Sequence, residues 1–199
     1  MDHPQDTQAP EVPLQPQQTP RPFAGARKDW RFVLKFIALS VAFWLLQLAH
    51  QFLVLSPGQL GISLVRASGL AGATFFGFAL LSSSLFKWHP AWAKYWYVRR
   101  SFGVMGFVFV LGHVLFAQQV VFQWNLQATL FSLNPFENPA VFGMLAFPVF
   151  FLMAITSSDW AADKLGYSRW KALHRLVYFG YLFAVFHFLR INPQGLMNG

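Results

Sequence analysis

Cysteine is absent from the chain, which rules out disulfides, thiolate nucleophiles, sulfur-ligated zinc and cysteine-held iron–sulfur clusters. Charge is scarce as well. Only 11% of residues are charged against 55% hydrophobic, too apolar a balance for an ordinary soluble domain. Seven residues are acidic, and none lies in the core of an apolar run. A transporter that relays protons through buried carboxylates and histidines therefore finds no carboxylate here, and no inverted repeat of the transporter kind is evident. Nor is there a glycine-rich dinucleotide fingerprint, so NAD(P)H and FAD have no domain of their own in this chain. The N-terminus is polar and proline-rich rather than basic then apolar, unlike a cleavable leader. The first apolar run is expected to serve as the insertion signal.

Long apolar stretches are what the chain has in abundance. Five approach or reach the roughly 20 residues that cross a bilayer: about 32–55, 62–86, 101–121, 140–156 and 172–191. The expected fold is an all-α integral membrane bundle of five or six transmembrane helices. Pro148 is expected to kink the fourth. Ser68, Gly72, Ala73 and Gly77 form a small-residue stripe that lets helices approach closely. Residues 122–139 are expected to carry a short surface helix ending at Asn134-Pro135.

The net charge of +8 would suggest nucleic acid if it formed a patch on a soluble surface. Its distribution points to topology instead. Thirteen of the fifteen Lys and Arg residues lie before or at the opening of the first run, between the second and third, or between the fourth and the opening of the fifth, while Arg66 and Arg190 lie on the other side. By the positive-inside rule the N-terminus is cytoplasmic and the C-terminus outside. That is the expectation for a multi-pass protein of a bacterial inner membrane. Residues 1–29, rich in Pro and Gln, are expected to be a disordered cytoplasmic tail; 30–192 form the transmembrane domain and 193–199 a short outer tail.

Two histidines carry the functional signal. His113 and His187 lie deep in apolar runs, each seven residues after a glycine, Gly106 and Gly180. Imidazole in hydrocarbon is costly and needs a partner. Two at one depth, below glycine-floored grooves that could admit a porphyrin, point to haem held by two axial histidines. The bland alternative is a pair of histidines acting as polar glue between helices. His174 lies thirteen residues before His187, roughly 140° away on an ideal helix; ligand and interfacial group are equally good readings of it. Arg99 and Arg100 suit haem propionates, since guanidinium binds carboxylates bidentately, and also serve as topology determinants. His50 and His89 read as interfacial and loop histidines. A third reading of the whole chain is an assembly or anchoring subunit without cofactor.

At these residues the sequence becomes familiar. Arg99-Arg100 is followed by twelve residues and His113; Thr156-Ser157 closes the fourth run; and KLGYSRWKALHRLVYFGYLFAVFHFL leads through the fifth. The pattern resembles the ferric-reductase-like transmembrane domain superfamily over about residues 32–190, closest to its MsrQ-type haem-binding membrane subunits of bacterial methionine sulfoxide reductase systems. The resemblance implies b-type haem, one per chain or two, ligated at His113, His187 and, by motif position, His174. It implies electron flow from a cytoplasmic flavin reductase, flavin or quinol donor to a periplasmic reductase or other acceptor. Three departures stand out. Larger members carry two histidines on the third helix, where only His113 occurs; MsrQ-type chains continue into a sixth helix; and the stretch from Gly166 to Trp170 is one residue longer. A standalone ferric-reductase-like protein with another acceptor is the alternative.

Overall fold

The structure, a computed structural model, describes residues 30–191. The expectations for residues 1–29 and 193–199 lie outside the described residues.

Helix α1 (Trp30–His50) continues through a π-helical turn at Gln51–Leu55. Helix α2 (Leu60–Trp88) follows, then a 3₁₀ segment, Pro90–Tyr95, and α3 (Trp96–Val120). A four-residue helix α4 (Leu126–Thr129) precedes α5 (Ala140–Ile155), α6 (Asp159–Leu165), α7 (Tyr167–His174) and α8 (Val177–Ile191). Among the described residues every regular element is helical, as backbone in hydrocarbon requires.

Four helical stretches are long and apolar enough to cross a membrane: Trp30–Leu55, Leu60–Trp88, Tyr97–Val120 and Tyr167–Ile191. A fifth arises if α5 and α6, bent by 97° at their junction, count as one span. Helix α2 is the central one, with 39% of its most apolar window buried against 6 to 11% in the other three. Its sequence explains why. Ser63, Ala67, Ala71, Phe75, Ala79 and Ser82 recur at helical spacing and are all buried, so neighbouring backbones come close along its length. Gly72 is one such contact: a Cβ there would lie 2.7 Å from Val110 and 3.3 Å from the Gly106 carbonyl of α3.

Two antiparallel pairs result, α2 with α3 and α5 with α8. One apolar cluster, Ala71, Phe75 and Phe109, joins α1, α2 and α3, and Trp44 fastens α1 by donating from Nε1 to Ser68 Oγ at 3.0 Å. The other, Phe76, Ala146, Phe150, Met153 and Val177, joins the two pairs.

Local details differ from the sequence expectation for identifiable reasons. Helix α5 runs through Pro148, and the sharp turn comes later, after Thr156, where Ser158 caps α6 by accepting from Ala161 N–H at 3.1 Å. The surface helix spans only Leu126–Thr129: Asn125 caps its start, and beyond its end Asn138 ties down the carbonyls of Thr129 and Ser132. The fifth run is two pieces. Helix α7 ends at His174, and α8 starts at Val177 after a turn, so His174 and His187 do not belong to one unbroken helix.

Candidate functional site

His113 on α3 and His187 on α8 are brought together, with ring centres 6.0 Å apart and planes at 77°. Both are half-buried. Each ring is held by a backbone carbonyl of its own helix pair: His113 Nδ1 lies 2.9 Å from the Val65 carbonyl of α2, and His187 Nδ1 lies 2.9 Å from the Pro139 carbonyl at the start of α5. A carbonyl only accepts, so Nδ1 carries the proton in both rings and Nε2 keeps its lone pair. A protonated Nδ1 pinned to a carbonyl, with Nε2 left as donor atom, is the arrangement that orients metal-bound imidazole and raises its basicity.

Glycine makes room for both rings, at positions the sequence reading passed over. A Cβ on Gly69 would lie 2.9 Å from His113 Nδ1, and one on Gly143 would lie 3.1 Å from His187 Nδ1 and Cε1. Each glycine is four residues after the accepting carbonyl, on the same helix face. A side chain there would screen the carbonyl from the ring. The two cradles are copies of one another. A single offset of 74 residues relates Val65 to Pro139, Gly69 to Gly143, Phe76 to Phe150, Gly106 to Gly180 and His113 to His187. Comparing the sequence with itself at that offset was the signal available for Gly69 and Gly143. The two pairs run in the same sense, unlike the inverted repeats of transporters.

Gly106 and Gly180 serve this packing. A Cβ on Gly106 would meet the Phe76 ring at 3.1 Å; one on Gly180 would meet Val149 at 2.9 Å and Phe150 at 3.1 Å. Phe76 and Phe150 stack on each other, centres 4.0 Å apart and planes at 16°. This stack ties the two helix pairs together two turns from the histidines, toward the basic end of the bundle.

At that end His174 meets different neighbours. Its Nε2 is 3.2 Å from Thr156 Oγ1. The Thr156 hydroxyl has one proton, directed at the Leu152 carbonyl 2.6 Å away, so His174 Nε2 is the donor. In this arrangement the unprotonated nitrogen of His174 is Nδ1, the reverse of the other two. Trp170 packs on its ring with centres 4.0 Å apart and donates from Nε1 to the Thr156 carbonyl at 2.9 Å. Arg99 and Arg100 lie within electrostatic reach of His174, and Arg100 bridges to Asp159 at 2.7 Å. By the 74-residue offset, Arg100 stands where the second half has His174. An open depression of about 340 Å³ beside it is lined by Tyr167, Ser168, Lys171, Ala172 and Arg175. His50 and His89 are exposed, and His89 leans on Trp92.

The donor set narrows what the central pair can hold. Among the described residues no three or more His, Cys, Asp or Glu come together as a metal cluster, so an ion needing three or four protein ligands finds no such set there. Haem iron takes four nitrogens from its porphyrin and needs only one or two ligands from the protein. Metal–imidazole bonds are about 2 Å, and with ~1.1 Å from nitrogen to ring centre on each side, two imidazoles facing one iron would have their centres about 6 Å apart, the spacing of His113 and His187. The residues fit haem.

The sequence matches the family described as ferric reductase like transmembrane component over residues 58–185. Among curated relatives it is similar to the protein-methionine-sulfoxide reductase heme-binding subunit MsrQ of Brucella ovis, Brucella anthropi and Brucella canis. Each is 32% identical over 92 residues, which cover 46% of this chain and 40% of the relative. The match thus spans less than half the length of those relatives. No solved structure matches the chain.

Proposed function

Because this chain belongs to the ferric reductase like transmembrane component family, we propose that it is a b-type membrane cytochrome whose iron is held between His113 and His187. The observation that carries the reading is the pair of imidazoles 6.0 Å apart, each with Nδ1 tied to a carbonyl. Bound haem supplies one-electron redox chemistry. The chain's own residues do the rest. The Val65 and Pro139 carbonyls fix the tautomer of each ligand, and Gly69 and Gly143 let the rings reach those carbonyls. The Phe76–Phe150 stack holds the two helix pairs at a fixed spacing, with Gly106 and Gly180 admitting it.

Arg99 and Arg100 offer guanidinium groups to propionates at the basic end, which is the cytoplasmic one on the positive-inside reading. His174, with Nε2 committed to Thr156, is an interfacial group there. The depression beside it, bearing Lys171 and Arg175, suits the phosphate of a reduced flavin or an acidic surface on a cytoplasmic reductase. The other donor class is a quinol reaching the helices from the lipid. A periplasmic reductase is the acceptor expected from the likeness to the MsrQ subunits.

Reduced-minus-oxidised spectra with haem quantitation test the reading. Low-spin b-type bands in the purified chain, lost in both His113→Ala and His187→Ala, are the expected result. Full haem content in both variants overturns it.

A further inference from the structure

The two imidazole cradles are alike in geometry but differ in what holds them. Val65 sits inside α2, with helix on both sides of it. Pro139 sits at the very start of α5, next to a loop, and as a proline it has no N–H with which to anchor itself. Its carbonyl, the partner of His187, needs another restraint.

Asn138 supplies it. Its side chain is almost fully buried, 2% exposed, on the loop side of Pro139, and every side-chain polar atom is engaged. Nδ2 donates to the Thr129 carbonyl at 2.9 Å and to the Ser132 carbonyl at 3.0 Å. Oδ1 accepts from Ala140 N–H at 3.0 Å, one of the first amides of α5 and without a partner inside the helix. Asn138 thus clamps the peptide units on both sides of Pro139 to the segment 129–132. The loop is closed further by Ser132 and Asn134, which donate to Glu137 at 2.6 and 3.1 Å. Arg190, three residues beyond His187 on α8, donates to the Phe136 carbonyl.

We propose that Asn138 is a positioning residue for the His187 ligand: by fixing the Pro139 carbonyl it sets the strength of the His187 Nδ1–H hydrogen bond. On the bis-histidine reading, on which this part rests, the loop 129–138 thereby tunes the reduction potential of the iron. A firmer Nδ1–H···O=C bond makes imidazole a more basic ligand and favours the ferric state; loosening it raises the potential. The effect is expected to be one-sided, because the hydrogen bonds of Asn138 run to Thr129, Ser132 and Ala140 and none to α2, which carries Val65.

The test uses the full chain in nanodiscs, labelled with ¹⁵N-histidine, with His113 and His187 assigned by single substitution. Asn138→Ala removes all three side-chain bonds. Asn138→Asp keeps the acceptor for Ala140 N–H and removes the two donors, and provides a second variant if the first does not fold. Both variants are expected to shift the His187 Nδ1 resonance away from its hydrogen-bonded position, the Asp variant less, and to leave His113 in place. In haem-loaded protein the midpoint potential rises; a tenfold loss of preference for ferric over ferrous iron corresponds to about 59 mV for one electron. An unchanged His187 resonance in both variants overturns the proposal. So does an equal shift at His113, which would mark general loosening. If the wild-type chain takes up no haem while the Asn138 variants still show the selective His187 shift, the positioning role is sustained and the cytochrome reading sinks.

Discussion

Gly69→Ala separates stability from cofactor binding. In an ordinary helix interior alanine is worth up to about 1 kcal/mol over glycine, and α2 is an unbroken helix around this position. On propensity alone the variant gains stability. The added methyl, however, would lie 2.9 Å from His113 Nδ1, where ordinary contacts start at about 3.5 Å. The ring must retreat by roughly 0.6 Å on that figure. That stretches the 2.9 Å bond to the Val65 carbonyl to the limit at which a hydrogen bond ceases to count. Loss of such a partner typically weakens a metal ligand set by 10–100-fold, about 1.4–2.8 kcal/mol. Haem affinity and stability of the haem-free bundle should therefore move in opposite directions. Titration of haem into haem-free protein in detergent, beside thermal melts of the same samples, measures both. Gly103→Ala is the control, since a Cβ there meets nothing within 4 Å; it should keep haem affinity. Unaltered affinity in Gly69→Ala, or an equal loss in Gly103→Ala, refutes the steric argument.

Two other perturbations probe the packing. Gly180→Ala brings a methyl to 2.9 Å from Val149 and 3.1 Å from Phe150, so an overpacking cost of about 1–3 kcal/mol should appear in the melts of haem-free protein; lowered haem affinity at unchanged stability would instead assign Gly180 to the cofactor. Arg100→Ala breaks an ion pair whose side chains are 38% and 59% exposed, and exposed pairs are worth no more than about 1 kcal/mol. Its melting temperature should stay near wild type, so any large change in haem spectra or reduction rate measures a functional contact.

The spans and the two histidines were legible because each is a one-dimensional signal. Apolar runs of bilayer length announce helices, and His113 and His187 stand out as lone imidazoles in hydrocarbon. Gly69 and Gly143 were not, because glycine is common in membrane helices and nothing local separates one facing a ring from one facing a neighbouring backbone. Gly106 and Gly180 read as porphyrin grooves in the sequence; in the structure a Cβ there would meet Phe76, Val149 and Phe150, and the melts and haem titration of Gly180→Ala separate the two roles. The break after His174 was invisible, since Leu173 to Tyr178 contains no glycine or proline to announce it. The pairing of Pro139 with His187 is long-range and lies beyond any local pattern.

The internal repeat bears on how many haems one chain can hold. On the proposed reading, two copies of the carbonyl–glycine–histidine unit would supply one ligand each, and a single iron would satisfy both. A second iron toward the basic end would draw on the next equivalent pair, which is Arg100 and His174. Arginine stays protonated in proteins and has no lone pair to give, so that pair offers at most one ligand, the unprotonated Nδ1 of His174. The expected stoichiometry is one haem per chain, and His174→Ala should retain it in full while His187→Ala does not. Such a result in quantified pyridine haemochrome spectra makes His174 an interfacial residue. Two haems in the wild type, falling to one in His174→Ala, would mean that His174 is a ligand and that another residue completes the second site.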